Sequence, residues 1–110
     1  MIRYTTPTIS LTVEKADLTG KDVYVSLEQG SMILTKSGSD LTVTVTTVDE
    51  QPMTTISFTM TQEESATFNE NKSVSVQVNF ISADGVRAAT GIKTIKVMRN
   101  LLNEVIEYGD

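Results

Sequence analysis

Apolar and polar residues alternate with a period of two through most of the chain. Ile9, Leu11 and Val13 alternate with Thr8, Ser10 and Thr12, and Val23, Val25 and Leu27 with Tyr24, Ser26 and Glu28. The pattern recurs at Leu41, Val43 and Val45, at Ile56, Phe58 and Met60, and at Val74, Val76, Val78 and Phe80. Each run predicts a strand with one face toward a core and the other toward water. The abundant Thr and Val fit the same reading, because β-branched side chains are stiff at χ1 and sit well on a pleated surface.

Turn chemistry falls between the runs. Gln29-Gly30-Ser31 reverses the chain between a strand near 22–28 and one near 32–36, and Ser37-Gly38-Ser39 leads into the strand that starts at Leu41. Asp49-Glu50-Gln51-Pro52 reads as a longer polar loop. Asp84-Gly85 predicts a type I′ turn joining a long strand 73–82 to one that begins near Val86. Gly91 interrupts that last strand and marks a bulge or a close backbone approach. Beyond it Ile95 and Val97 resume the inward positions. Thr61-Gln62-Glu63-Glu64 has the spacing of a capping box, which predicts a helical turn over about residues 62–67 with Phe68 entering the core.

Short strands with turns at this spacing and one helical turn near residues 62–67 predict an all-β fold. The expected architecture is an Ig-like, two-sheet antiparallel sandwich of about seven strands. The expected organisation is a β-sandwich over residues 1–99 followed by a C-terminal apolar arm over residues 100–110. At 110 residues, folding can bury about two-thirds of the unfolded chain's surface, enough for one core.

Composition narrows the chemistry. The chain has no Cys, His or Trp, which removes a disulfide framework, a thiol nucleophile, a Cys/His zinc site and an imidazole base. Glu63, Glu64, Glu70, Asp49 and Glu50 concentrate carboxylates, but in loops and at a helix start, where caps and the helix dipole favour them. Neither an EF-hand nor a phosphate-binding glycine loop is written in the sequence. The expectation is a non-enzymatic protein with no cofactor, no metal and no small-molecule substrate. Nine basic against fourteen acidic residues give a net charge of −5, which argues against a nucleic-acid partner. The lack of a long apolar stretch or a leader-like start predicts no membrane partner.

Two features point to protein contacts. Arg87, Lys93, Lys96 and Arg99 gather in the last strand region, apart from the acidic residues. They form either a solvated face or one of two complementary patches through which copies meet head to tail. Leu101, Leu102, Val105 and Ile106 lie in the terminal arm and must either fold back on the sandwich or bury themselves in a neighbour. The arm reads equally as helix or extended chain. A different class of function is a carbohydrate- or surface-binding module. With aromatic residues at 5% and no Trp, its stacking platform falls to Tyr4, Tyr24 or Tyr108, of which Tyr24 is on an outward face.

Three stretches resemble a family of small phage and prophage proteins of Gram-positive bacteria. They are Ile2-Arg3-Tyr4-Thr5-Thr6-Pro7-Thr8, then Thr59-Met60-Thr61-Gln62-Glu63-Glu64 with Phe68, and Val76-Gln77-Val78-Asn79-Phe80 through Asp84-Gly85 to Ala88. The family opens on Ile-Arg-Gly-Thr-Thr-Pro-Thr, so Tyr4 stands where it has glycine, and it ends on a similar apolar tail. More distantly the chain is similar to the N-terminal sandwich domain of siphophage upper baseplate proteins. The resemblance implies a structural protein of a tail, baseplate or head-to-tail assembly. Its partners would be other phage structural proteins or itself as a homo-oligomer, in the virion or in the host cytoplasm during assembly.

Overall fold

The computed structural model describes residues 1–108; residues 109 and 110 of the expected arm lie outside the described residues. The chain forms an all-β sandwich of two antiparallel sheets. Its strands are β1 (Thr8–Glu14), β2 (Asp22–Gln29), β3 (Met32–Ser37), β4 (Thr42–Val48), β5 (Gln51–Thr59), β6 (Ser73–Ile81), β7 (Arg87–Ala89) and β8 (Lys93–Lys96), with a five-residue helix α1 (Gln62–Ala66) between β5 and β6. One sheet has the order β1-β5-β4, and the other β3-β2-β6 with β7 and β8 both paired to β6.

β7 and β8 occupy successive lengths of one edge: Arg87 stands opposite Ile81, and Lys96 opposite Ser73. The chain thus has seven strand positions and eight strands, the last broken around Gly91 as the sequence predicts. The order matches an immunoglobulin-type Greek key whose first strand is absent from the smaller sheet. The N-terminal segment instead runs to the other sheet, where Ile2 makes a parallel bridge to Met98.

The core lies between the sheets and is filled by the predicted inward residues. Val23, Val25 and Leu27 of β2, Ile56 and Phe58 of β5, and Val74, Val76 and Val78 of β6 are buried, joined by Leu18, Met60, Phe68 and Val97. The capping box forms as read: the Glu64 amide donates to Thr61 Oγ1 (3.1 Å) and the Thr61 amide donates to the Glu64 carboxylate (2.9 Å). It turns the chain so that Phe68 enters the core with no exposed surface.

Three local expectations need correction. Asp49-Glu50-Gln51-Pro52 does not form a longer loop, because Val48 pairs directly with Gln51. Asp49 and Glu50 form a two-residue turn with φ of 50° and 64°, the left-handed pair of a type I′ hairpin. The Asp84-Gly85 connection is instead a three-residue loop. The Gly85 amide donates to the Ser82 carbonyl and the Ser82 amide to the Val86 carbonyl, and of Asp84 and Gly85 only the glycine takes positive φ. Finally, β4 alternates in sequence but has every residue exposed, Val43 and Val45 included. It is an edge strand, paired with β5 alone.

Candidate interaction surfaces

The terminal arm is fastened to the sandwich through the Asn100 side chain and the Ile106 backbone. Asn100 Nδ2 donates to the Arg3 carbonyl (3.0 Å), and Asn100 Oδ1 accepts from the Leu102 amide (3.0 Å). Further on, Gln62 Nε2 donates to the Ile106 carbonyl (2.9 Å) while Gln62 Oε1 accepts from the Ile106 amide (2.8 Å). The side chain of Gln62 thereby pairs with the arm as a neighbouring strand would. The fold-back does not hide the arm's apolar groups. Leu101 is 86% exposed, Ile106 57%, and Leu102, Val105 and Tyr108 are also exposed. Between the arm and the body runs a groove of about 660 Å³ lined by Tyr4, Met60, Gln62, Ile106 and Tyr108 among others. The described arm is neither helix nor strand.

The four predicted basic residues do not form one cluster. Arg87 sits at the β7 end and donates to Asn79 Oδ1 (3.1 Å). Lys96 is eight positions away along β6, opposite Ser73 on the outer face. Lys93 stands opposite the buried Val76, on the inner face of β8 at the open margin of the sandwich. Arg99 is exposed beyond β8. The ion pair found among the described residues is Lys36 with Glu64, and none of these four bases takes part in it.

The outer face of the larger sheet carries a shallow groove of about 360 Å³ between Tyr24, Ser26, Asn79, Ile81 and Arg87. The alternation that buries Val23 and Val25 turns Tyr24 outward opposite Asn79. Tyr24 was legible as outward; its meeting with Arg87 was not, since that depends on β2 and β7 both flanking β6. Gln62 gave no signal in the sequence beyond its place in a capping box. At the loop leading to β7, hydrogen bonding from Ser82 holds the Asp84 carboxyl below the usual carboxylate range, and the charge of Lys21 acts in the same direction. Among the described residues no group of three carboxylates converges as a metal site would require.

Comparison with protein-family models, with curated proteins and with solved structures returns no match to the chain.

Proposed function

We propose that this chain is a non-enzymatic structural protein, a phage or prophage assembly component that acts through protein–protein contacts. The observation that carries the reading is the terminal arm, whose backbone is held by Gln62 while Leu101, Leu102, Val105 and Ile106 face outward. An arm that served only to complete the core would turn those groups inward, since contiguous exposed apolar surface usually marks a contact. The phage assignment rests on the resemblance of the three stretches, the opening, the middle and the one from Val76 to Ala88. Tyr4 adds support: its φ is 63°, a conformation that favours glycine, and glycine is what the family has there.

The test replaces Leu101, Leu102, Val105 and Ile106 together by Ser and compares mass by light scattering, across a concentration series, with the melting temperature. The reading expects reduced association at an unchanged melting temperature. An unchanged mass distribution with a lowered melting temperature would make the arm part of the fold and sink the reading.

The outer-face groove favours a second reading, a carbohydrate- or surface-binding module. Tyr24 offers a partly exposed ring beside a guanidinium that Asn79 holds in place, a combination suited to stacking on a sugar and bonding its hydroxyls. A glycan screen answered by the wild-type chain and lost in Tyr24→Ala would support it. No response from either protein would remove it.

A further inference from the structure

The sandwich covers its inward side chains unevenly. Val23, Val25 and Leu27 of β2 and Val74, Val76 and Val78 of β6 are buried, whereas Ile9, Leu11 and Val13 of β1 point into the same core and are only half-buried. β1 pairs with β5 alone, so its other edge is open, and the immunoglobulin-type strand that would lie beside it is the one this chain lacks. Across the gap Lys93 of β8 stands opposite Val76 on the inner face and lines a narrow crevice with Leu11, Val13, Val76 and Val78. Its ammonium has no ion pair among the described residues. A row of unpaired backbone groups beside half-covered apolar side chains is a place for an added strand, and this one has a lysine inside it.

The terminal arm carries the matching pattern. Leu101 to Glu107 are seven residues, as many as β1 has. With Leu102 and Ile106 turned inward, Glu104 lies between them on the same side. Set opposite Leu11, it brings a carboxylate to the level of Lys93. An inward charge is one device by which a sheet refuses a stray strand; here it refuses a wholly apolar one and admits one that brings an acid. Run parallel in this register, Glu107 falls opposite Glu14, a like-charge pair; run antiparallel, Leu101 falls there and Glu107 opposite Thr8. The antiparallel arm therefore starts at the Glu14 end of β1. Its own root lies at the other end: Asn100 is bonded to Arg3, and Arg3 to the Ala66 carbonyl of α1, which follows the end of β5 that pairs with Thr8. The donor is a second copy.

The other edges suit the arm less well. β4 carries no charge, so Glu104 would lie beside Val43 and Val45 without a partner. β3 turns Lys36 to the same face as Leu34, but Glu64 already holds that ammonium. On the fourth edge β7 and β8 have three and four residues with a break between them, and Met1 and Arg3 bond to Lys96 and Met98 along its open side. We propose that the terminal arm of one copy lies antiparallel along the free edge of β1 of another, with Glu104 meeting Lys93. This rests on the assembly reading above and names the surface that receives the arm. The arm leaves Gln62 to reach it, and Leu102 and Ile106, exposed on their own copy, become covered beside Val13 and Ile9 of the other.

The test is sedimentation velocity on the full chain, on Lys93→Glu, on Glu104→Lys and on an equimolar mixture of the two variants. The wild-type chain should associate, and each variant alone should do so about tenfold more weakly. The mixture should recover, because the arm of each variant then meets the opposite charge on β8 of the other. Recovery also shows that both variants fold. The chain has no cysteine, so a second measurement can leave these charges untouched. Ser10→Cys and Val105→Cys on separate chains should oxidise in air to a mixed disulfide, since the two positions oppose each other in the antiparallel register. Thr44→Cys with Val105→Cys, which probes the β4 edge, should not. A wild-type chain monomeric throughout a concentration series, a mixture that does not recover, or a link through Thr44→Cys in place of Ser10→Cys would each overturn the proposal. Association that ignores both charge variants but falls when the arm is changed to serine overturns it too, while leaving the assembly reading standing.

Discussion

Lys36 Nζ lies 2.8 Å from one oxygen of the Glu64 carboxylate and 2.7 Å from the other, tying the edge strand β3 to the first turn of α1. Burial pushes the Glu64 carboxyl up, but hydrogen bonds from Lys36 and from the Thr61 amide outweigh it and hold the group below the usual carboxylate range. A carboxyl that titrates lower in the folded chain than in the unfolded one stabilises the fold above its unfolded pKa. That contribution is lost as pH falls through the folded value. Glu64→Gln keeps the acceptor of the capping box and removes the charge. It should lower stability near neutral pH by about 1 kcal/mol, the site being partly exposed, and flatten the acid limb of melting temperature against pH. Parallel curves for the two proteins would contradict this account.

Gln62 holds the arm from a distance of 44 residues in sequence. Gln62→Ala removes both hydrogen bonds to Ile106, and with a net worth of about 1 kcal/mol each their loss should speed amide exchange at Ile106 by roughly thirtyfold. The melting temperature should stay where it was, because the arm's apolar side chains lie outside the core. Hydrogen exchange read residue by residue decides the matter: an Ile106 amide protected equally in both proteins would show that something other than Gln62 holds the arm.

Thr54 is a polar residue with no exposed surface. Its hydroxyl donates to the Ala16 carbonyl (2.8 Å) and accepts from the Leu18 amide (3.2 Å), which fixes the loop that drops Leu18 into the core. Thr54→Val preserves the shape and strands both backbone groups. The expected loss is about 1–3 kcal/mol, read as a lower denaturant midpoint, whereas Thr55→Val, in the adjacent strand position on the opposite face, should change little. Equal midpoints for the two variants would remove Thr54 from this role.

Periodicity carried the sheets because alternation is a local property: every strand that faces the core on a single side declares that side in its own residues, as Val74, Val76 and Val78 do. Edges are not local. Val43 and Val45 alternate as well as Val23 and Val25, and only the pairing of β4 on one side alone, at the rim of the smaller sheet, leaves them exposed. The sites divide in the same way. The apolar arm and the basic residues were legible as composition. The clamp of Gln62 on Ile106 and the meeting of Tyr24 with Arg87 depend on distant segments coming together, and no spacing announces them. The break at Gly91 was legible, and the two-residue spacing to Ile95 puts Lys93 on the inner face, but its pairing with Val76 was not.

The β4–β5 and β6–β7 hairpin turns predict opposite outcomes for opposite substitutions. Glu50 holds φ of 64° as the second residue of a tight β4–β5 turn, a position at which a side chain clashes with the following carbonyl and costs about 1 kcal/mol or more. Glycine escapes that clash but has more freedom to lose from the unfolded chain, so Glu50→Gly should gain about 0.5 kcal/mol rather than the whole strain. Gly85 has φ of 87° in the β6–β7 loop, and a Cβ there would meet no atom within 4 Å. Space is therefore not the obstacle to a side chain at that position; the backbone angle is. Gly85→Ala should cost about 1 kcal/mol although it buries nothing and breaks no contact. Denaturant midpoints that rise for Glu50→Gly and fall for Gly85→Ala would locate the strain in the backbone. If both fell, the Glu50 side chain would be supplying a favourable contact large enough to outweigh its own strain.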